Sequence, residues 1–105
     1  MRSLSKCISV ILLTSLLTAC LFGNLNLREG IHSFKVQDYR RAFIRLVPEA
    51  QKGQPDAQYA VGYMFYYGQG VVENRHRALF WINRAANAGQ PDAINAITML
   101  EHKVK

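Results

Sequence analysis

The pentapeptide Gly-Gln-Pro-Asp-Ala occurs twice, at Gly53–Ala57 and at Gly89–Ala93, 36 residues apart. The frame around it repeats too. Ala50 and Ala60 flank the first copy as Ala86 and Ala96 flank the second, and upstream Ala42, Phe43 and Leu46 fall on Ala78, Leu79 and Ile82. A fixed period of this size marks stacked supersecondary units, each too small to bury its own apolar face. Such stacks offer extended surfaces for holding other molecules, so the repeat favours binding over chemistry.

Helical spacing sets the units. Leu27, Ile31 and Phe34 at i, i+4, i+7 form one face of a short helix. A second helix is predicted from about Gln37 to Lys52, with Tyr39, Ala42, Phe43, Leu46 and Ala50 inward and Pro48 interrupting its last turn. Gly53 ends it, and Pro55 and Asp56 open a third helix running to about Tyr67. The loop Gly68-Gln69-Gly70-Val71 leads to a fourth, from Asn74 or Arg75 to Ala88, and Gly89 to Asp92 repeats the closing and opening device before a last helix from Pro91. Connections this short make neighbouring helices antiparallel.

Residues Ala57 to Val71, with Gly62, Gly68 and Gly70, resemble the first helix and loop of a Sel1-like repeat, and Ala78 to Gly89, with Trp81, Ala85 and Ala86, resemble its second helix. Asp38 to Phe43 resembles the second helix of a preceding repeat. The resemblance covers about Gln37 to Leu100. It implies an all-α fold, a short right-handed α-solenoid of antiparallel helix hairpins related to tetratricopeptide repeats, acting as an adaptor in protein complexes. Gly62 inside a helix costs about 1 kcal/mol against alanine, which requires close approach of the next helix, with Trp81 nearby. Ala57, Ala78, Ala85 and Ala86 also permit short interhelical distances. Thr98 replaces Gly62 and Glu101 replaces Phe65 one period on, so the last helix reads as a polar cap. The pattern gives one complete repeat with a half on either side.

The N-terminus carries a second signal. Arg2 and Lys6 precede an apolar run from Cys7 to Leu17, as in a secretory signal peptide. Leu17-Thr18-Ala19-Cys20 resembles the bacterial lipobox, which implies acylation of Cys20, and Leu21 after it implies the outer membrane, with the domain facing the periplasm. The alternative is an uncleaved membrane anchor, for which Cys7 to Phe22 is short and contains Ser9, Thr14, Ser15 and Thr18. The expected division is therefore 1–19 as signal, 20–36 as lipidated tether with a possible capping helix, and 37–105 as the repeat domain. Cleavage leaves 86 residues, enough for one small domain. It takes Arg2 and Lys6 away, leaving 11 Lys+Arg against 7 Asp+Glu, a net +4 that is too dispersed to argue for nucleic acid. The tether before Gln37 spans at most about 55 Å when extended.

No catalytic constellation emerges. His32, His76 and His102 lack metal-ligand spacing, Asp56 and Asp92 fit as helix-start residues, and Gly68-x-Gly70 lacks the lysine of a phosphate loop. Neither a cofactor nor a metal is expected, and no small-molecule substrate. Some Sel1-like proteins have been linked to β-lactam hydrolysis, but this chain lacks their cysteine pairs. Two surfaces are candidates for a protein partner in the cell envelope. Tyr59, Tyr63 and Tyr66 lie at i, i+4, i+7 on the helix that lines the concave side, with Tyr59 the one closest to repeat packing. Arg40, Arg41 and Arg45, with His76, Arg77 and Arg84 one period on, form a basic ridge, and Ile44 and Phe80 are an equivalent apolar pair between those charges. The expected function is that of an envelope lipoprotein, adaptor or accessory factor of a secretion apparatus or of peptidoglycan-processing machinery. The alternatives are an inhibitor of a peptidoglycan-degrading enzyme, a structural envelope protein, or a β-lactam-hydrolysing enzyme.

Overall fold

A computed structural model describes the backbone of residues 2–104 and the side chains of residues 3–11 and 25–103. Its five helices are α1 (Arg2–Lys35), α2 (Tyr39–Gln51), α3 (Pro55–Tyr67), α4 (Arg75–Asn87) and α5 (Pro91–Val104). There is no strand among the described residues. The fold is all-α, a stack of antiparallel helix hairpins.

The four later helices fall where the periodicity put them. Each start is fixed by local chemistry. Asp38 caps α2, its side chain accepting from the Arg41 N–H at 3.4 Å, and Asn74 caps α4 by accepting from the Arg77 N–H at 3.0 Å. Proline opens α3 and α5 where no N–H is needed, with Asp56 and Asp92 in the first turns. The chain turns before each of them at Gly53 and Gly89, whose φ of 103° and 92° is cheap only for glycine. The helix α2 runs through Pro48 to Gln51 rather than breaking there.

The core lies between the hairpins. Ala42, Leu46, Ala50, Ala57, Met64, Ala78, Ala85 and Ala93 are wholly buried, and Val61, Ile82 and Phe65 nearly so. Small residues bring the backbones close, and the few large ones fill what remains. In α3, a Cβ built on Gly62 would stand 2.6 Å from Ile82 Cγ1 and 3.0 Å from the Ala78 carbonyl oxygen. The residue that requires this glycine is thus Ile82. Trp81, expected beside it, is half-buried at the edge of the core.

The N-terminal part departs most from expectation. The helix α1 runs for 34 residues, about 51 Å at 1.5 Å per residue, and gives the molecule its 70 Å long axis. Its C-terminal portion is an ordinary first helix of a repeat. A Cβ on Gly30 would stand 2.5 Å from Leu46 Cδ2, and Leu46 lies 36 residues before Ile82. Gly30 is therefore the counterpart of Gly62 at an offset of 32 residues, since α1 and α2 are joined by three residues (36–38) where α3 and α4 are joined by seven (68–74). Under this offset Leu27, Ile31 and Phe34 coincide with Tyr59, Tyr63 and Tyr66. The architecture is two complete hairpins and a final single helix, in place of one repeat between two halves. The packed body begins near Asn26, whose side chain, with Glu29, holds Arg45 of α2 at 2.9 and 3.2 Å.

Candidate functional site

The helices that begin each unit, α1, α3 and α5, line one side of the stack. On this side Tyr59, Tyr63 and Tyr67 of α3 face Asn95, Met99 and Lys103 of α5, each exactly one 36-residue period on. Between them is an open groove of about 350 Å³, with Ile82 at its floor and Ala96 and Leu100 on the α5 wall. The corresponding space between α1 and α3 is filled. Phe34 stands edge-on to Tyr63 at 5.3 Å and to Tyr39 at 5.7 Å. Because α5 packs chiefly on α4, its separation from α3 leaves the second space empty.

The aromatic wall is continuous. Ring centroids are 6.4 Å apart for Tyr59 and Tyr63, 4.7 Å for Tyr63 and Tyr67, and 4.9 Å for Tyr66 and Tyr67. Burial raises the pKa of Tyr59 above the ordinary tyrosine value, and the Asp92 carboxylate across the groove adds to the effect. Tyr63 is raised mainly by burial as well. Both phenols stay neutral hydrogen-bonding groups on an apolar wall. Tyr66 is partly covered, with the Arg75 guanidinium 3.9 Å over its ring and in turn held by Glu73 at 3.0 Å. Tyr67 is the more open of the two at 57% exposure. Sequence reasoning named Tyr63 and Tyr66 but missed Tyr67, Asn95, Met99 and Lys103; projecting Tyr59 and Tyr63 one period forward gives Asn95 and Met99, and Lys103 follows only once Tyr67 is placed on the same face.

At the mouth of the groove the repeated pentapeptide has diverged in role. Gln90 is buried; its Oε1 accepts from the Ala93 N–H at 2.7 Å, and its Nε2 donates to Asp56 at 3.3 Å and Asp92 at 3.4 Å. Gln54, its counterpart, makes no side-chain cap. Asp56 and Asp92 are thus tied together by one amide as well as facing the helix starts.

The second candidate surface lies on the opposite helices. Ile44 and Phe80 are exposed at 66% and 52%. The Arg84 guanidinium lies 5.4 Å from the Phe80 ring centre and 5.6 Å from that of Trp81, and the two rings meet edge-on at 5.2 Å. Arg41 and Arg77 flank the pair, Arg77 also reaching over Phe65 at 5.8 Å. Arg45 leaves this ridge, since Glu29 and Asn26 draw it to α1. The last helix is less polar than expected, with Ile94 exposed and Met99 open to solvent in the groove.

The proposed lipid-attachment residue, Cys20, lies outside the residues whose side chains are described. Among the described residues no helix is long and apolar enough to cross a membrane, and no cluster of three or more His, Cys, Asp or Glu could hold a metal ion.

The Sel1 repeat family model matches residues 55–90, which are α3, its loop, α4 and the turn before α5. Chitin synthase regulatory factor 4 of Schizosaccharomyces pombe is 31% identical over 64 residues, which is 61% of this chain and 10% of that protein. The chain spans about a tenth of the length of that relative. No solved structure gives a significant match. Sel1 repeats generally mediate protein–protein interaction. The match to the Sel1 repeat thus falls on the hairpin α3–α4, and the all-α stack of helix hairpins around it is consistent with a Sel1-like or tetratricopeptide-like solenoid.

Proposed function

We propose that this chain is a membrane-anchored lipoprotein of the bacterial envelope whose repeat groove holds a segment of another envelope protein. It serves there as an adaptor or accessory factor of a secretion apparatus or of peptidoglycan-processing machinery. The observation that carries the binding reading is the groove between α3 and α5, walled by Tyr59, Tyr63 and Tyr67 against Met99 and Leu100. Tyrosine offers large apolar contact with a polar tip at small entropic cost, and a groove of this size takes side chains rather than a whole domain. The anchor reading rests on Leu17-Thr18-Ala19-Cys20. If Cys20 carries the lipid, only five residues separate it from Asn26, so the domain stays close to its membrane. That segment is helical, and its reach is far below the extended estimate.

The test is affinity capture of the full chain after in-cell crosslinking. Tyr63→Ala/Tyr66→Ala and Tyr63→Ala/Tyr67→Ala should each lose the stoichiometric partner recovered with the unaltered chain while the circular dichroism spectrum stays helical. Recovery of the same partner by both folded variants would remove the groove as its site.

A further inference from the structure

The helices α2 and α4 carry six arginines, Arg40, Arg41, Arg45, Arg75, Arg77 and Arg84, and no lysine. Their one acidic residue, Glu49, is 2% exposed and paired with Lys52 at 3.3 Å. Arg45 and Arg75 are engaged elsewhere, by Glu29 and by Glu73 with Tyr66. The other four are distributed about the exposed apolar pair Ile44 and Phe80 and the half-buried Trp81. Of these four, only Arg41 is ion-paired among the described residues, at 3.8 Å to Asp38, and its side chain is 72% exposed.

We propose that this face docks on an anionic phospholipid bilayer, with Arg40, Arg41, Arg77 and Arg84 on lipid phosphates and Ile44, Phe80 and Trp81 at the level of the headgroups. The arginine fork matches phosphate geometry with two parallel hydrogen bonds, which the lysine ammonium does not. Apolar and aromatic side chains rimmed by cations are the composition of an interfacial surface. A bilayer is within reach in either form of the chain: uncleaved, α1 projects from the body and exposes Leu4, Ile8, Val10 and Ile11, and after cleavage before Cys20 the lipid on that residue takes this role. This inference rests on the membrane location in the proposed function, but not on acylation or on the groove, which lies on the other side of the stack. The domain would then be laid on the membrane by its arginine face and present the groove away from it.

Trp81 is the single tryptophan of the chain, so its fluorescence reports this face alone. The experiment reconstitutes the full chain into phosphatidylcholine vesicles with and without phosphatidylglycerol, with bromine on the acyl chains of one set. Flotation verifies that the reconstituted chain is on both kinds of vesicle, which is the common starting point. Docking predicts that Trp81 emission moves to shorter wavelength and is quenched by brominated chains only when phosphatidylglycerol is present. Both effects should reverse at about 1 M salt, where screening falls to about 3 Å. Each arginine replaced in Arg77→Gln/Arg84→Gln should lower the ratio of docked to undocked domain about fivefold. The pair Arg40→Gln/Arg41→Gln, on the other helix, should act in the same direction, so that misfolding of one variant does not decide the matter. Equal Trp81 emission in the two vesicle types while the chain floats with both would overturn the proposal. So would a shift that appears only on adding an acidic protein and is insensitive to brominated chains.

Discussion

Gly62 of α3 lies against Ile82 of α4 with no room for a methyl group, a Cβ there coming within 2.6 Å of Ile82 Cγ1. The obstacle includes the Ala78 carbonyl oxygen at 3.0 Å, which a rotamer change in Ile82 does not move. Gly62→Ala should therefore destabilise the fold by about 1–3 kcal/mol, and Gly62→Val by more, despite the better helix propensity of alanine. Gly30→Ala, against Leu46, should cost a similar amount, whereas Thr98→Gly at the equivalent position of exposed α5 should be far milder. Thermal melts of the four variants check this; a Gly62→Val melting temperature equal to that of the unaltered chain contradicts the packing account.

The two copies of the pentapeptide should respond differently to the same change. Gln90→Ala removes the acceptor for Ala93 and the donor to Asp56 and Asp92, and leaves those two carboxylates without the amide between them. Loss of such a cap costs about 1 kcal/mol. Gln54→Ala removes no side-chain cap and should be near neutral. Denaturant midpoints that fall equally for both would show that the Gln90 bridge is inert.

The groove tyrosines should make stability fall in alkali. Burial first, and Asp92 second, raise the pKa of Tyr59, so the fold favours its neutral form. A folded-state pKa above the unfolded value means that the contribution is complete below the unfolded value of about 10 and is lost as pH rises through the folded one. Denaturant midpoints measured between about pH 9 and 11 should decline less steeply in Tyr59→Phe. Asp92→Asn should shift the Tyr59 ionisation, followed by ultraviolet absorbance, back towards the ordinary range. An unchanged slope in Tyr59→Phe would locate the alkaline sensitivity elsewhere.

Acylation of Cys20 gives a chemical prediction. Cys20→Ser should abolish metabolic labelling with palmitate and leave unprocessed or soluble protein in fractionated cells. Unchanged labelling and fractionation in that variant would assign membrane attachment to another feature.

Most of the helical order was legible because its causes are local. Pro55 and Pro91 set helix starts, Gly53 and Gly89 set ends, and the period carried the core positions from Leu46 to Ile82. The first hairpin was obscured by its connection. A loop four residues shorter shifts Gly30 off the 36-residue register, so that a search at one period passes over it. Exchange of Leu27, Ile31 and Phe34 for tyrosines at the matching positions removes the remaining identity. Half of the groove was legible, since Tyr63 was placed on the concave side. Its other wall depends on how far α5 stands from α3, a tertiary distance with no local signal. The departure of Arg45 towards Glu29 likewise depends on α1 packing beside α2. Ile82 rather than Trp81 opposes Gly62 because Ile82 points into the helix pair while Trp81 lies at its rim.

The central claim is that the space between α3 and α5 holds a protein partner. It is tested most directly by placing a photoreactive amino acid in the full chain at Tyr67, at Met99 or at Val72, which is 89% exposed on the loop away from the groove. Irradiation of living cells, followed by mass spectrometry, should give the same identified adduct from Tyr67 and Met99, attached through one segment of the partner, and none from Val72. Adducts that are absent from both groove positions, or that are the same at all three positions, would contradict it.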